Sequence, residues 1–292
     1  MNLNALKSEA VKDGKRWDVI IGPNRRLFDL QLRELWKYRD LVMLFVRRDF
    51  VAAYKQTILG PIWYLIQPLL TTITFTVIFG QIASLPTDGL PQFLFYMSGN
   101  VLWSYFAACL TKTSNTFVSN SHLFGKVYFP RLAVPISILI SNLITFVMQF
   151  VFFLAFVGYF ALRGSEIQPN LWILAFPLLI VIMAGHGLGF GILISAMTTK
   201  YRDLRFLVSF GVSLLMYATP VIIPASSVPE RFQPLIRFNP ITPLIEIFRY
   251  GFLGAGSVEP WGLVYSFVFM LVIVAIGSLV FNRVEANFMD TV

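Results

Sequence analysis

The chain has 292 residues, of which 57% are apolar, a mean hydropathy of +0.70 and a formal net charge of +8. Soluble domains carry roughly 45–50% apolar residues, so this composition excludes an ordinary soluble protein and indicates one integral membrane domain. A transmembrane barrel is disfavoured, because barrel strands alternate every second residue and the apolar stretches here are continuous.

In chain order, residues 1–26 read as a polar, flexible N-terminal segment with no apolar h-region of a cleaved signal peptide. From Leu27 a helical pattern sets Phe28, Leu32, Leu35 and Trp36 on one face and Asp29, Arg33 and Lys37 on another. This predicts an amphipathic helix in the membrane interface. Asp40 is expected to cap a second helix through about Thr57, carrying Arg47, Arg48, Asp49 and Lys55. Gly60 then reads as a helix stop and Pro61 as a helix start, so residues 27–59 form a cytoplasmic interface unit ahead of the first span.

Six long stretches follow without an Asp, Glu, Lys or Arg: about 60–82, 93–110, 132–160, 172–199, 206–223 and 260–282. Each matches the roughly 18 or more apolar residues of a membrane span, which defines an all-α domain over 60–284 and a tail over 285–292. Pro68 lies inside the first span and is expected to kink it or free a carbonyl. Of the 23 Lys and Arg, 12 lie in residues 1–59. The 111–131 loop, the 200–205 loop and the tail add most of the rest, so the positive-inside rule puts both termini in the cytoplasm. Basic residues divided among membrane-bordering loops argue against nucleic-acid binding.

The 111–131 loop is long enough for a short helix over Asn115–Phe124. It would turn Phe117, Leu123 and Phe124 inward. In the fourth span, Gly185/Gly189 and Gly187/Gly191 are small-xxx-small pairs that allow close helix packing. His186 is the only ionisable side chain in the spans, and a neutral, hydrogen-bonded ring fits better than a proton relay, since no span carboxylate accompanies it. Cys109 reads as a packing residue. A single cysteine cannot form an intrachain disulfide or supply a metal site. The proline-punctuated segment 224–259 is expected to hold short re-entrant helices. Asn239-Pro240 would form a cap and first turn, and Glu246 and Arg249, three apart, could pair as an external gate or a structural ion pair.

Three blocks carry a resemblance. The run from Arg47 through Trp63 with Gln67-Pro68, the run Lys200–Arg205, and Phe238–Pro243 leading to Arg249-Tyr250 and Gly254 resemble type-2 ABC-exporter permeases, in family order over about residues 28–285. The likeness is nearest to membrane subunits of O-antigen, capsule and teichoic-acid exporters, with the O-antigen branch favoured. The resemblance implies a multi-pass subunit of the bacterial inner membrane that is not itself an enzyme. It would act as a homodimer with two copies of a separate ATPase that binds ATP and Mg. The chain itself would need no cofactor or metal, in keeping with the absence of a Gly-x4-Gly-Lys-Ser/Thr motif. By the same analogy, Asn115, Phe117, Ser119, His122 and Phe124 belong to the coupling element.

A glycan on undecaprenyl diphosphate is the expected substrate. Arg47, Arg48 and Lys55 would draw its diphosphate at the cytoplasmic entrance, because Arg and Lys suit phosphate recognition. Trp63, Tyr64, Gln67 and Tyr217 are expected along the translocation path, where aromatic faces and polar edges suit sugars. An interfacial aromatic belt explains most other Trp and Tyr. The alternatives are a permease for a small molecule such as a drug or haem, and, below it, a membrane enzyme acting on polyprenyl-linked sugars. The enzyme would need acid/base carboxylates, and only Asp49 and Asp203 are suitably placed.

Overall fold

The computed structural model describes residues 32–55, 60–124, 129–198, 201, 203–256 and 258–287. The expected 1–26 segment, the start of the helix at Leu27, residues 56–59, Lys200, Arg202 and residues 288–292 lie outside the described residues. Among the described residues the fold is helical and contains no strand.

Helices α1 (Leu32–Lys37) and α2 (Arg39–Tyr54) are separated by a single turn residue, Tyr38. Asp40 is not the cap expected of it: it sits inside the first turn and makes no capping bond. There its carboxylate still meets the positive end of the helix dipole. α2 buries Val42, Phe45 and Val46 against a cluster that includes Phe129, Ala133 and Val134. The i, i+3, i+4 spacing of these three places them on one face, and Arg47 and Arg48 are left exposed. A 3-10 turn over Gly60–Ile62 leads into the next helix, and Gly60 has a φ of +52°, open to glycine at little cost.

α3 (Trp63–Phe75) runs on as π-helical turns over Thr76–Ile82. α4 (Gln92–Ser114) is the hub, buried from Leu94 to Ser114 on almost every side. Two one-turn helices, α5 (Thr116–Ser119) and α6 (Ser121–Phe124), lead towards α7 (Ala133–Leu162). A 3-10 turn over Leu171–Ala175 starts α8 (Phe176–Thr198). Then come α9 (Leu204–Tyr217), α10 (Gln233–Arg237), α11 (Thr242–Leu253) and α12 (Pro260–Asn287).

Among the described residues five helices are long and apolar enough to cross a membrane: Trp63–Ile82, Gln92–Ser114, Ala133–Leu162, Leu171–Thr198 and Pro260–Val284. The sixth expected span, 206–223, departs from expectation. Its helix is α9, of 14 residues, which at about 1.5 Å per residue covers about 21 Å of a hydrocarbon core about 30 Å thick. The remainder is irregular backbone through Thr219, Pro220, Val221 and Ile222, all buried. Pro220 cannot continue the helical ladder, and irregular backbone is tolerated at membrane depth where protein surrounds it.

The 224–259 segment does contain short helices, with one change of start. Asn239 does not cap a helix beginning at Pro240. Its Oδ1 accepts from the Ile241 N–H at 3.0 Å, and its Nδ2 donates to the Ala218 carbonyl at 3.0 Å and to Thr219 Oγ1 at 2.8 Å. Asn239 therefore ties the end of α9 to the start of α11, which begins at Thr242 with Pro243 in its first turn. α11 ends at Gly254, whose φ of +82° lets its N–H reach the Tyr250 carbonyl at 2.9 Å.

Both glycine pairs of α8 lie at close helix crossings. A Cβ at Gly187 would stand 2.6 Å from Cys109 Cβ, and one at Gly191 2.5 Å from Thr113 Cβ, both on α4. Gly185 and Gly189 face α12 instead, where a Cβ at Gly189 would come within 2.8 Å of the Val274 nitrogen and one at Gly185 would strike Met270. His186 lies between these faces, fully buried. Its Nδ1 is 2.9 Å from the Ile182 carbonyl, an acceptor only, so Nδ1 carries the proton; the ring stacks on Phe269.

Gly187→Leu or Gly191→Leu should cost the folded chain about 1–3 kcal/mol or more through overpacking. The variants should show a lowered melting temperature in detergent, whereas Gly211→Ala, where a Cβ meets nothing within 4 Å, should melt like the parent.

Candidate functional site

The first polar feature of the bundle begins at Pro68. A proline has no N–H, so the Tyr64 carbonyl four residues earlier loses its helical partner. Gln149 on α7 supplies one, donating from Nε2 to the Tyr64 carbonyl at 3.1 Å. The Pro68 carbonyl accepts from Asn100 Nδ2 on α4 at 3.2 Å and from Thr72 Oγ1 at 2.8 Å. α3 is thus held to α4 and α7 through backbone carbonyls.

Between these helices lies a cleft of about 450 Å³, lined by Tyr64, Gln67, Asn100, Trp103, Ser104, Lys112, Asn142 and Gln149, among others. Lys112 was expected in the loop after the second span. The helix instead runs on to Ser114, and Lys112 Nζ donates to Asn142 Oδ1 on α7 at 2.8 Å. Asn142 in turn donates from Nδ2 to the Ile138 carbonyl at 2.8 Å. No Asp or Glu is among the residues lining the cleft. The signal for this site was present as Gln67, Asn100, Asn142 and Gln149 inside apolar stretches, where polar residues face a cavity or a partner. Of these, Gln67 was expected along the path, whereas Asn100, Asn142 and Gln149 were not singled out.

Below the cleft, the Asn115–Phe124 loop is fixed to the bundle. Phe117 is fully buried, stacked on Phe281 at 4.4 Å and meeting Phe124 edge-on at 5.9 Å. Its N–H donates to Ser195 Oγ at 3.3 Å, and Thr198 Oγ1 donates to the Ser114 carbonyl at 3.1 Å. Asn115 is half-buried, donating to the Thr111 carbonyl at 2.9 Å, and Ser119 is exposed. Phe117 and Phe124 cannot present a contact surface to another protein. They are the anchor, and Ser119 lies on the outer face. The His122 side chain lies outside the described residues.

At the far end of the bundle, Arg249 on α11 is 0% exposed. Its Nη1 pairs with Glu246 Oε1 at 3.2 Å, Nη2 donates to the Pro220 carbonyl at 2.9 Å, Nε donates to Ser98 Oγ at 3.3 Å, and the guanidinium lies 3.8 Å over the Phe95 ring. One side chain therefore joins α11, the start of α4 and the irregular backbone after α9. The planar fork of Arg, with five N–H donors, suits such a junction.

The residues expected along the translocation path are divided. Tyr64 and Gln67 line the cleft, whereas Trp63 and Tyr217 are exposed, at 51% and 65%, and do not. Arg47, Arg48 and Lys55 are exposed along α2, with Arg48 Nη2 paired to Asp49 at 2.8 Å.

A helical membrane bundle of this order, with a buried cation at one end and a polar cleft at the other, defines a permease-type domain. The profile of the ABC-2 type transporter family matches residues 40–253, so the chain belongs to that family. An O-antigen export system permease protein, RfbA, of Klebsiella pneumoniae is 27% identical over 254 residues, 86% of this chain and 94% of the relative. RfbA of Myxococcus xanthus is 26% identical over 75% of this chain and 82% of its own length. The polysialic acid transport protein KpsM of Escherichia coli is 24% identical over 82% of this chain and 91% of its own length.

Removing one partner of a buried ion pair strands the other, at a cost of about 3–5 kcal/mol. Arg249→Ala should therefore lower the melting temperature of the purified chain sharply. The double change of Glu246 and Arg249 to Met, which strands no charge, should melt above Arg249→Ala.

Proposed function

We propose that the chain is the membrane subunit of an ATP-driven exporter of lipid-linked polysaccharide, of the O-antigen type. The observation that carries this reading is the match to O-antigen export permeases over 86% of the chain and 94% of the relative. The polysialic acid relative favours a second reading, export of a capsule-type polymer, through the same architecture. A small-molecule permease has no comparable support.

In this mechanism two copies of the chain form the pathway, in the bacterial inner membrane with both termini cytoplasmic. Two copies of a separate ATPase, which binds ATP and Mg, supply the energy, since the chain carries no phosphate-binding loop. The Asn115–Phe124 segment receives the stroke of that ATPase on the face bearing Ser119. Its buried rings pass displacement to α4, α8 and α12, because a side chain packed at interior density cannot move without its neighbours. Arg47, Arg48 and Lys55, exposed on α2, draw the diphosphate of an undecaprenyl-linked glycan. Tyr64 and Gln67 offer aromatic and polar contacts inside. Trp63 and Tyr217 meet the sugar chain only where two protomers face one another. At the exit, Glu246 and Arg249 hold α11 as a unit, so gating there moves the helix with its partners.

Two measurements test this. In the reconstituted complex, Arg47→Ala with Arg48→Ala should lower ATP hydrolysis stimulated by lipid-linked glycan by about tenfold or more, each lost charged hydrogen bond being worth about 1.5–3 kcal/mol. Unchanged stimulation removes the role of these arginines. Ser119→Arg should abolish export while leaving the chain inserted and its melting temperature unchanged. A strain lacking the chain that still displays its surface polysaccharide would overturn the exporter reading.

A further inference from the structure

We propose that the cleft between α3, α4 and α7 is a docking site for a lipid-borne phosphoryl group with a sugar attached, and that Lys112 is its charge partner. The proposal rests on the exporter reading for its ligand class and adds a second station, inside the bundle, beyond the exposed arginines of α2.

Lys112 is the starting point. A lysine near a helix end ordinarily extends its stem along apolar surface and puts its ammonium in the interface. This one is still exposed, but its ammonium turns to Asn142 Oδ1, 2.8 Å away, at the edge of the cleft it helps to line. An ammonium carries three donors, and one is used in this bond, leaving two for the cleft. Among the residues that line the cleft there is no carboxylate to take them. Asp49, on α2, acts on Lys112 from a distance and is already tied to Arg48 at 2.8 Å. A cation beside a cleft in which no described lining residue is a carboxylate favours an anion from outside the chain.

The rest of the lining specifies more than a counter-ion. Asn100, Ser104, Asn142, Gln149 and Gln67 offer amide and hydroxyl groups, and Tyr64, Trp103 and Tyr105 border the same space. The amides are held in place by the bonds to the Tyr64, Pro68 and Ile138 carbonyls. Phosphate beside a planar aromatic face and fixed amide edges matches a phosphoryl sugar better than a phosphate alone. The cleft volume of about 450 Å³ lies within the roughly 300–1,000 Å³ of small-ligand sites. An ordinary anionic phospholipid presents the same phosphoryl chemistry without the sugar, so the two sources separate by competition.

The test is equilibrium binding of a fluorescent polyprenyl-diphosphate N-acetylglucosamine to the full chain purified in detergent. Lys112→Gln should weaken binding roughly tenfold, the size of one charged hydrogen bond. Lys112→Arg should retain most of it. Thr145→Phe keeps the charge and fills the cleft, and it should also abolish binding; an unchanged melting temperature of each variant, with the retained binding of Lys112→Arg, separates a lost contact from a folding defect. The matching polyprenol without phosphate should not displace the probe, and phosphatidylglycerol should displace it only at large excess. Parent-like binding by Lys112→Gln overturns the proposal, as does parent-like binding by Thr145→Phe or displacement by phosphatidylglycerol at equal concentration. These outcomes are read on the isolated chain. They are independent of the surface-polysaccharide assay, whose failure would remove the exporter reading instead.

Discussion

A polar group inside a bilayer has no water to turn to, so each one freed from a helix must find its partner in the protein. This constraint organises the bundle. Where Pro68 breaks the ladder of α3, side chains from α4 and α7 complete it. Where α9 stops short at Tyr217, Asn239 takes the Ala218 carbonyl and Arg249 takes the Pro220 carbonyl. Apolar packing places the helices against one another, but these bonds fix which helix meets which at what height. Helices in lipid have no hydrophobic drive towards each other, so polar junctions and the glycine crossings of α8 supply the specificity.

The same constraint separates the two ends of the molecule. Arg249 spends its donors on a carboxylate, two hydroxyl or carbonyl partners and the face of Phe95, and is sealed within the protomer. Lys112 meets one amide and opens onto a cleft. A guanidinium with partners on every edge is a structural joint; an ammonium with donors to spare is a place where something can bind. The chemistry of the two cations, and not their charge, distinguishes their uses.

Much of this was legible in the sequence, in proportion to how local the cause is. The charge-free runs located five long helices because length and apolarity are properties of a contiguous segment. Gly60 marked a break between helices, and Pro68 marked a freed carbonyl, because both follow from backbone geometry. The 206–223 stretch misled for the same reason: its composition is that of a span, but Pro220 and the tertiary partners Asn239 and Arg249 end the helix early. Of the cleft only Tyr64 and Gln67 were foreseen, because its other residues come from helices far apart in sequence. A chain read for formal charge assigns Lys112 to a loop when the apolar run stops at Leu110, whereas the helix continues for another turn. Phe117 and Phe124 showed the reverse difficulty. Their loop was recognised, yet only the stacking on Phe281 reveals that the rings hold the loop from within.

The position of Lys112 also bears on how the cleft and the loop could act together. Asn115 caps the last turn of α4 by bonding the Thr111 carbonyl, and Lys112 lies in that same turn. The adjacent Ser114 carbonyl is held by Thr198, and Phe117 by Ser195, so α8 grips the turn from the other side. The α5 loop, the end of α4 and the end of α8 therefore form one bonded block. A displacement of the loop moves the Lys112 backbone with it, and the bond to Asn142 on α7 must stretch or follow. Slack between loop and cleft would require breaking buried hydrogen bonds where water cannot replace them, at roughly 1–3 kcal/mol for each group left unpaired. On the proposed exporter reading such a block would matter, because compliant packing would dissipate a displacement of the loop before it reached the cleft.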